Sequence, residues 1–132
     1  MVSRLEMVLK ELNENGNFRA SLFSTSTGLV LASQKADDVD ERVIAAMGSQ
    51  LSDAAYNASE EMGLSQLTSL KIKYADDYII CQNIIMPDNN TQFILAVLSK
   101  LPESEDIEKY YDQLLQWAVE NSARDLEKLS TI

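Results

Sequence analysis

The sequence predicts an α+β domain of three layers, α/β/α, in which a five-stranded antiparallel sheet is covered by helices in the order αββαβββα. Three observations predict it. Apolar residues recur at helical spacing near both ends of the chain and in its middle, and runs of alternating or continuous apolar residues lie between those stretches. The separators are short and rich in Asn, Asp, Gly and Pro, which is turn chemistry. Finally, the 132 residues, 45% of them hydrophobic, suit one globular domain over 1–132, and no linker, low-complexity run or internal period divides them.

The first helix is expected from about Val2 to Glu14, because Leu5, Val8, Leu9 and Leu12 fall on one side of a 3.6-residue period. Asn15-Gly16-Asn17 ends it, with Gly16 expected in the left-handed conformation. A strand follows from Phe18 to about Thr25, apolar or small on both faces and therefore expected inside the sheet. A Ser/Thr-rich turn, Ser24 to Thr27, then leads through Gly28 into a short strand from Leu29 to about Ser33.

Asp37, Asp38 and Asp40 offer N-caps for the second helix, from Val39 or Asp40 to Glu61, and Gly63 terminates it. Ile44, Met47, Leu51, Ala55, Ala58 and Met62 form a stripe suited to the sheet. About 100° further round lies a seam of small residues and one aromatic, Ala45, Ser49, Ser52, Tyr56 and Ser59, which would admit close approach of another helix. Arg42, Ala46, Gln50, Asp53, Asn57 and Glu60 complete the polar side.

Strands are expected at Gln66 to Tyr74, Tyr78 to Met86 and Gln92 to Ser99, joined by Asp76-Asp77 and Pro87-Asp88-Asn89-Asn90. Leu70, Ile72 and Tyr74 alternate with Ser69, Lys71 and Lys73, the pattern of a sheet edge, whereas the last two strands are apolar on both faces and belong in the centre. After Pro102, Glu103 or Ser104 caps a final helix to about Leu129, with Ile107, Tyr111, Leu114, Ala118 and Leu126 toward the core and Trp117 beside them.

Composition removes most catalytic chemistry. There is no His, no Walker A pattern and no G-x-G-x-x-G, and Cys81 is the single cysteine, set in an apolar run where it reads as a buried hydrophobe. No catalytic residue, cofactor or metal site is assigned. The acidic clusters Asp37/Asp38/Asp40/Glu41 and Glu103/Glu105/Asp106/Glu108 stand at helix starts, where the dipole favours them. A net charge of −10 argues against nucleic acid and against an anionic membrane surface. With no signal peptide or spanning segment read in the sequence, a cytoplasmic protein without a membrane anchor of its own is expected.

Function must then come from surfaces. A helix lying alone on one face, and a third strand at an open edge, would both be covered if two copies met by a two-fold contact. The expected dimer interface is Ala45, Ser49, Ser52, Tyr56 and Ser59 with Leu70 and Ile72.

The stretch FSTSTGLVLAS, the acid-capped helix with its Ala-rich segments, and the closing strand FILAVLS together resemble the Roadblock/LC7 family, over essentially the whole chain. The long terminal helix is similar to that of bacterial and archaeal members. The resemblance implies a roadblock/profilin-like fold and a homodimer, or a pair with a roadblock paralogue, joined through third strands and second helices. It implies a platform or regulator for a Ras-like small GTPase, in which the dimer reshapes the partner's switch loops so that the GTPase's own Arg and Gln reach the nucleotide. Arg42, Ala46, Gln50, Asp53 and Asn57 would then be the GTPase contacts, with Ser49 beside them and Arg42 more naturally a surface ion-pair partner than an inserted finger. The alternative is a structural adaptor joining other roadblock or longin-type proteins without regulating a GTPase, with profilin-like actin binding a more distant third.

Overall fold

A computed structural model describes residues 3–130. Its elements are α1 (Arg4–Gly16), β1 (Ala20–Thr25), β2 (Val30–Lys35), α2 (Glu41–Met62), β3 (Ser69–Lys73), β4 (Asp77–Ile85), β5 (Gln92–Lys100) and α3 (Glu105–Ser130). The strands form one antiparallel sheet in the order β2-β1-β5-β4-β3. The expected element order is therefore the observed one, with β1, β5 and β4 inside and β2 and β3 at the edges.

The two sheet faces are built differently. On one, α1 and α3 pack against each other and against Phe23, Tyr78, Ile80, Phe93, Leu95 and Val97. Leu9, Leu12 and Leu126 there are fully buried. Tyr78 Oη donates to Glu108 Oε1 at 2.8 Å, tying the first turn of α3 to the sheet, and Lys71 on the edge strand reaches Asp112 at 2.9 Å. On the other face α2 lies chiefly over β1, β2 and β5. Its contact row is Ile44, Ala45, Gly48 and Ser49, set on Ala20, Leu22, Cys81, Ile94 and Ala96. A Cβ at Gly48 would stand 3.4 Å from Cys81 Sγ, so this glycine lies at a close approach of helix to sheet.

Helix ends follow side-chain capping. Ser3 Oγ accepts from the Glu6 amide, Asp40 Oδ1 from the Arg42 amide, and Ser104 Oγ from the Ile107 amide. The expected start at Val2 lies outside the described residues. At the other end of α1 the expectation is corrected: Gly16 is helical, and Asn17 takes the left-handed conformation at φ 54°. Gly16 is required for another reason, since a Cβ there would overlap the Phe18 ring. Phe18 itself precedes β1 and packs edge-on against Tyr111, with ring centres 5.0 Å apart. Gly63 does close α2 in the left-handed conformation, as expected.

Other boundaries also move. β2 begins at Val30, leaving Leu29 exposed in the turn, and runs on to Lys35. β3 is shorter than Gln66 to Tyr74; the irregular segment before Ser69 is still held to β4 by Asn83, whose amide donates to Thr68 O and whose side chain donates to Leu67 O. In α3 the buried positions are Leu114, Leu115, Ala118, Ser122 and Leu126, while Ile107 and Tyr111 are half-buried.

The largest correction concerns α2. Of its expected core stripe only Ile44 is buried; Met47 and Ala55 are half-buried, and Leu51, Ala58 and Met62 are exposed. The helix is rotated so that its small residues meet the sheet, because Ala, Gly and Ser allow the backbones to approach more closely than Met and Leu would.

Candidate functional site

The Ser/Thr-rich turn is a structural connection. Thr25 Oγ1 lies 2.9 Å from Thr27 Oγ1 and accepts from the Leu29 amide, and Gly28 turns the chain at φ 95°. The Ser26 carbonyl accepts from Ser49 Oγ at 2.7 Å, which fastens the turn to α2.

That bond also decides the small-residue seam. Ala45 is 1% exposed and Ser49 7%, both already used inside the protomer. At those two positions the expected dimer seam faces this chain's own sheet and turn and presents little surface of its own. Ser52, Tyr56 and Ser59 continue the seam, but there the helix has risen from the sheet and they look into a cleft. Leu70 and Ile72, the expected interface residues on β3, are half-buried beside the core under α2, and among the described residues β3 has one strand neighbour, β4.

The rotation of α2 turns two surfaces outward. One is apolar: Met47, Leu51, Ala58 and Met62 share a stripe along the helix, with Leu51 and Met62 exposed. The other is the polar ridge of Arg42, Ala46, Gln50, Asp53 and Asn57, five exposed positions that helical spacing sets in a row. The proposed GTPase contacts are thus brought together, and Ser49 is not among them.

Electrostatics around α2 are local. The Arg42 amide, then its guanidinium at 3.4 Å, hold Asp40 below the usual carboxylate range. Arg42 is therefore a solvated partner of its own helix cap. Asp38 pairs with Arg19 at 2.9 Å and Glu41 with Lys35 at 3.6 Å, so the acidic cluster is engaged in caps and surface pairs. No group of three or more His, Cys, Asp or Glu among the described residues is placed to hold a metal ion. Burial pushes the Cys81 thiol up to about 11, which keeps it protonated and unreactive at neutral pH. No helix among the described residues is long and apolar enough to cross a membrane.

The exposed stripe was hidden in the sequence by a phase ambiguity. Two rows 100° apart could each have met the sheet, and hydrophobicity favoured the wrong one. The usable signal was Gly48, whose missing side chain marks the close helix–sheet contact.

A family model for the Roadblock/LC7 domain matches residues 4–99, from α1 through most of β5. An uncharacterized protein of Methanocaldococcus jannaschii is 38% identical over 71 residues, 54% of this chain and 60% of that relative, so the chain spans less than two thirds of the relative's length. Among solved structures, Myxococcus xanthus MglB is similar with a TM-score of 0.79 at 13% identity, over 96% of this chain and 97% of that one. A Roadblock/LC7 domain from Streptomyces avermitilis gives 0.78 at 16% identity, over 95% and 99%. At such identities these likenesses speak to the fold, and their coverage takes in α3, which lies beyond the family match.

Proposed function

The chain belongs to the Roadblock/LC7 family, and from that premise we propose that it is a non-catalytic binding module, a regulator or platform for a Ras-like small GTPase that works as a dimer. Two copies join through β3 and the exposed face of α2, and the polar ridge on the paired helices receives the GTPase. The observation that carries this reading is the exposure of Leu51, Ala58 and Met62 in one row of α2, with Met47 half-exposed beside them, together with the open edge of β3. Exposed apolar rows of this kind mark association surfaces, and a free edge strand gains main-chain hydrogen bonds from a second copy. The regulated chemistry belongs to the partner: this chain offers a shaped surface that favours one arrangement of the partner's switch segments.

Light scattering tests the dimer. Twice the mass of the chain is expected at micromolar concentration, with Leu51→Asp plus Met62→Asp shifting it to the monomer through desolvated charge in the contact. A monomer at all concentrations would overturn the dimer. Binding to candidate GTPases in the GDP and GTP-analogue states tests the partner: dependence on nucleotide supports a regulator, whereas nucleotide-blind binding places the protein among scaffolds.

A further inference from the structure

Past Ser49 the helix α2 has no buried residue, although it continues to Met62. Between this raised half and the sheet lies a cleft of about 740 Å³, bounded by α2 above, the segment after Gly63 at one side, and Asn83, Gln92 and Phe93 of the central strands below. That volume exceeds what one side chain occupies and falls in the range of ligand-binding sites.

The lining has a consistent chemistry. Its ionisable groups are Asp53, Tyr56 and Glu60, and no Lys or Arg is among the residues that line it. Spacings of three and four set these three side chains along one flank of the helix, with the aromatic ring between the carboxylates. Neither carboxylate has an ion-pair partner among the described residues. The hydrogen bond between the Tyr56 hydroxyl and the Glu60 carboxylate raises the phenol's pKa and ties the ring to that carboxylate. The opposite wall carries neutral amides: Asn83 uses its Nδ2 on Leu67 O, which leaves Oδ1 as an acceptor toward a bound chain, and Gln92 adds a donor and an acceptor.

We infer that this cleft docks an extended basic segment of a partner protein, with one Arg or Lys lying across the Tyr56 ring between Asp53 and Glu60. Two unneutralised carboxylates flanking an aromatic ring attract a cation by charge and by the ring quadrupole together, and a chain of net charge −10 repels acidic segments. The amide wall supplies what a peptide main chain needs. The inference goes beyond the reading above, because neither a GTPase nor a second copy is required for it.

The test is an amide-resolved NMR titration of the ¹⁵N-labelled chain with acetyl-Leu-Arg-Leu-amide and with the same peptide carrying citrulline, which keeps the shape of Arg without its charge. The arginine peptide is expected to shift amides from Asp53 to Glu60 and around Gln92, to bind about tenfold more tightly than the citrulline peptide, and to weaken with added salt. Asp53→Asn with Glu60→Gln should remove that preference, and Tyr56→Ala should weaken binding several-fold. Equal affinity for the two peptides, shifts confined to another surface, or no saturable binding would overturn the inference. If the double variant disturbs the spectrum beyond the cleft, the citrulline comparison on the unaltered chain decides alone. Repeating the titration on the Leu51→Asp, Met62→Asp chain separates this result from that of the dimer: binding retained by a monomer supports the cleft whatever becomes of the dimer.

Discussion

The face of the sheet under α1 and α3 and the face under α2 share the same strands, yet they are finished for different purposes. Under α1 and α3, large side chains interlock and the helices also pack on each other, as the full burial of Leu9, Leu12, Ala118 and Leu126 records. Each such leucine contributes about 1.5–3 kcal/mol by leaving water. Under α2 one large residue, Ile44, is buried beside Ala45, Gly48 and Ser49, whose apolar area is small, and the second half of the helix has no fully buried residue. The first face supplies the stability that lets the second remain unfinished, and an unfinished face is available for binding.

The comparison is broken most strongly by truncation on the closed side. Leu12→Ala should cost about 2–5 kcal/mol in urea unfolding, as cavity-forming changes do, whereas Met62→Ala should cost less than about 0.5 kcal/mol in a monomeric background. Similar losses at the two sites would mean that the faces are equally structural. Next in size, Gly48→Val should cost about 1–3 kcal/mol, because the added atoms meet Cys81 and Ile94 and α2 must lift. The same substitution should leave the amide spectrum of α1 and α3 unchanged.

A smaller effect sharpens the contrast through pH. Burial, then the bond to Glu108, raises the Tyr78 pKa; the bond from Tyr78, then Lys73 and Lys71, lowers that of Glu108. A raised pKa in the folded state gives stability that is present below the unfolded value, about 10 for Tyr, and lost as pH rises through the folded one. A lowered carboxylate pKa gives stability present above about 4.3, the unfolded Glu value, and lost as pH falls through the folded one. Tyr78→Phe should cost about 1 kcal/mol at neutral pH, remove the Tyr78 contribution to the alkaline loss and reduce the acid one, as read from denaturation midpoints across pH. The smallest effect is expected at Arg42. Its pair with Asp40 is solvated, so Arg42→Ala should leave the Tm unchanged, and as a ridge contact its loss should weaken binding of a responsive GTPase while turnover at saturating protein is stimulated as before. Loss of stimulation at saturation would make Arg42 a catalytic contributor.

Element order and layering were legible in the sequence because period and turn chemistry agreed at every junction. Asp40 and Gly63 bounded α2 within one or two residues, and the Lys71/Lys73 alternation marked β3 as an edge. What misled was the assumption that the more hydrophobic row of a helix is the buried one. Met47, Leu51 and Met62 outrank Ala45 and Ser49 in hydrophobicity, but the sheet selected for small size, and only tertiary contact distinguishes the two rows. The left-handed turn at Asn17 was missed for a related reason: Gly16 is the better local candidate, but the Phe18 ring needs the space its side chain would fill. The cleft had no signal in the sequence, since its walls come from α2, β4, β5 and the segment before β3, brought together only by folding.

The glycine that lets α2 rest on the sheet also covers the chain's single thiol. Cys81 is 2% exposed, and a maleimide can reach it only when the helix above swings away. Where that swing is fast and reversible, the labelling rate counts how often α2 is open, and a bound partner that holds the helix down slows the count. The molecule therefore carries its own gauge of occupancy, fixed beneath the surface whose occupancy is in question and readable without attaching a probe to that surface.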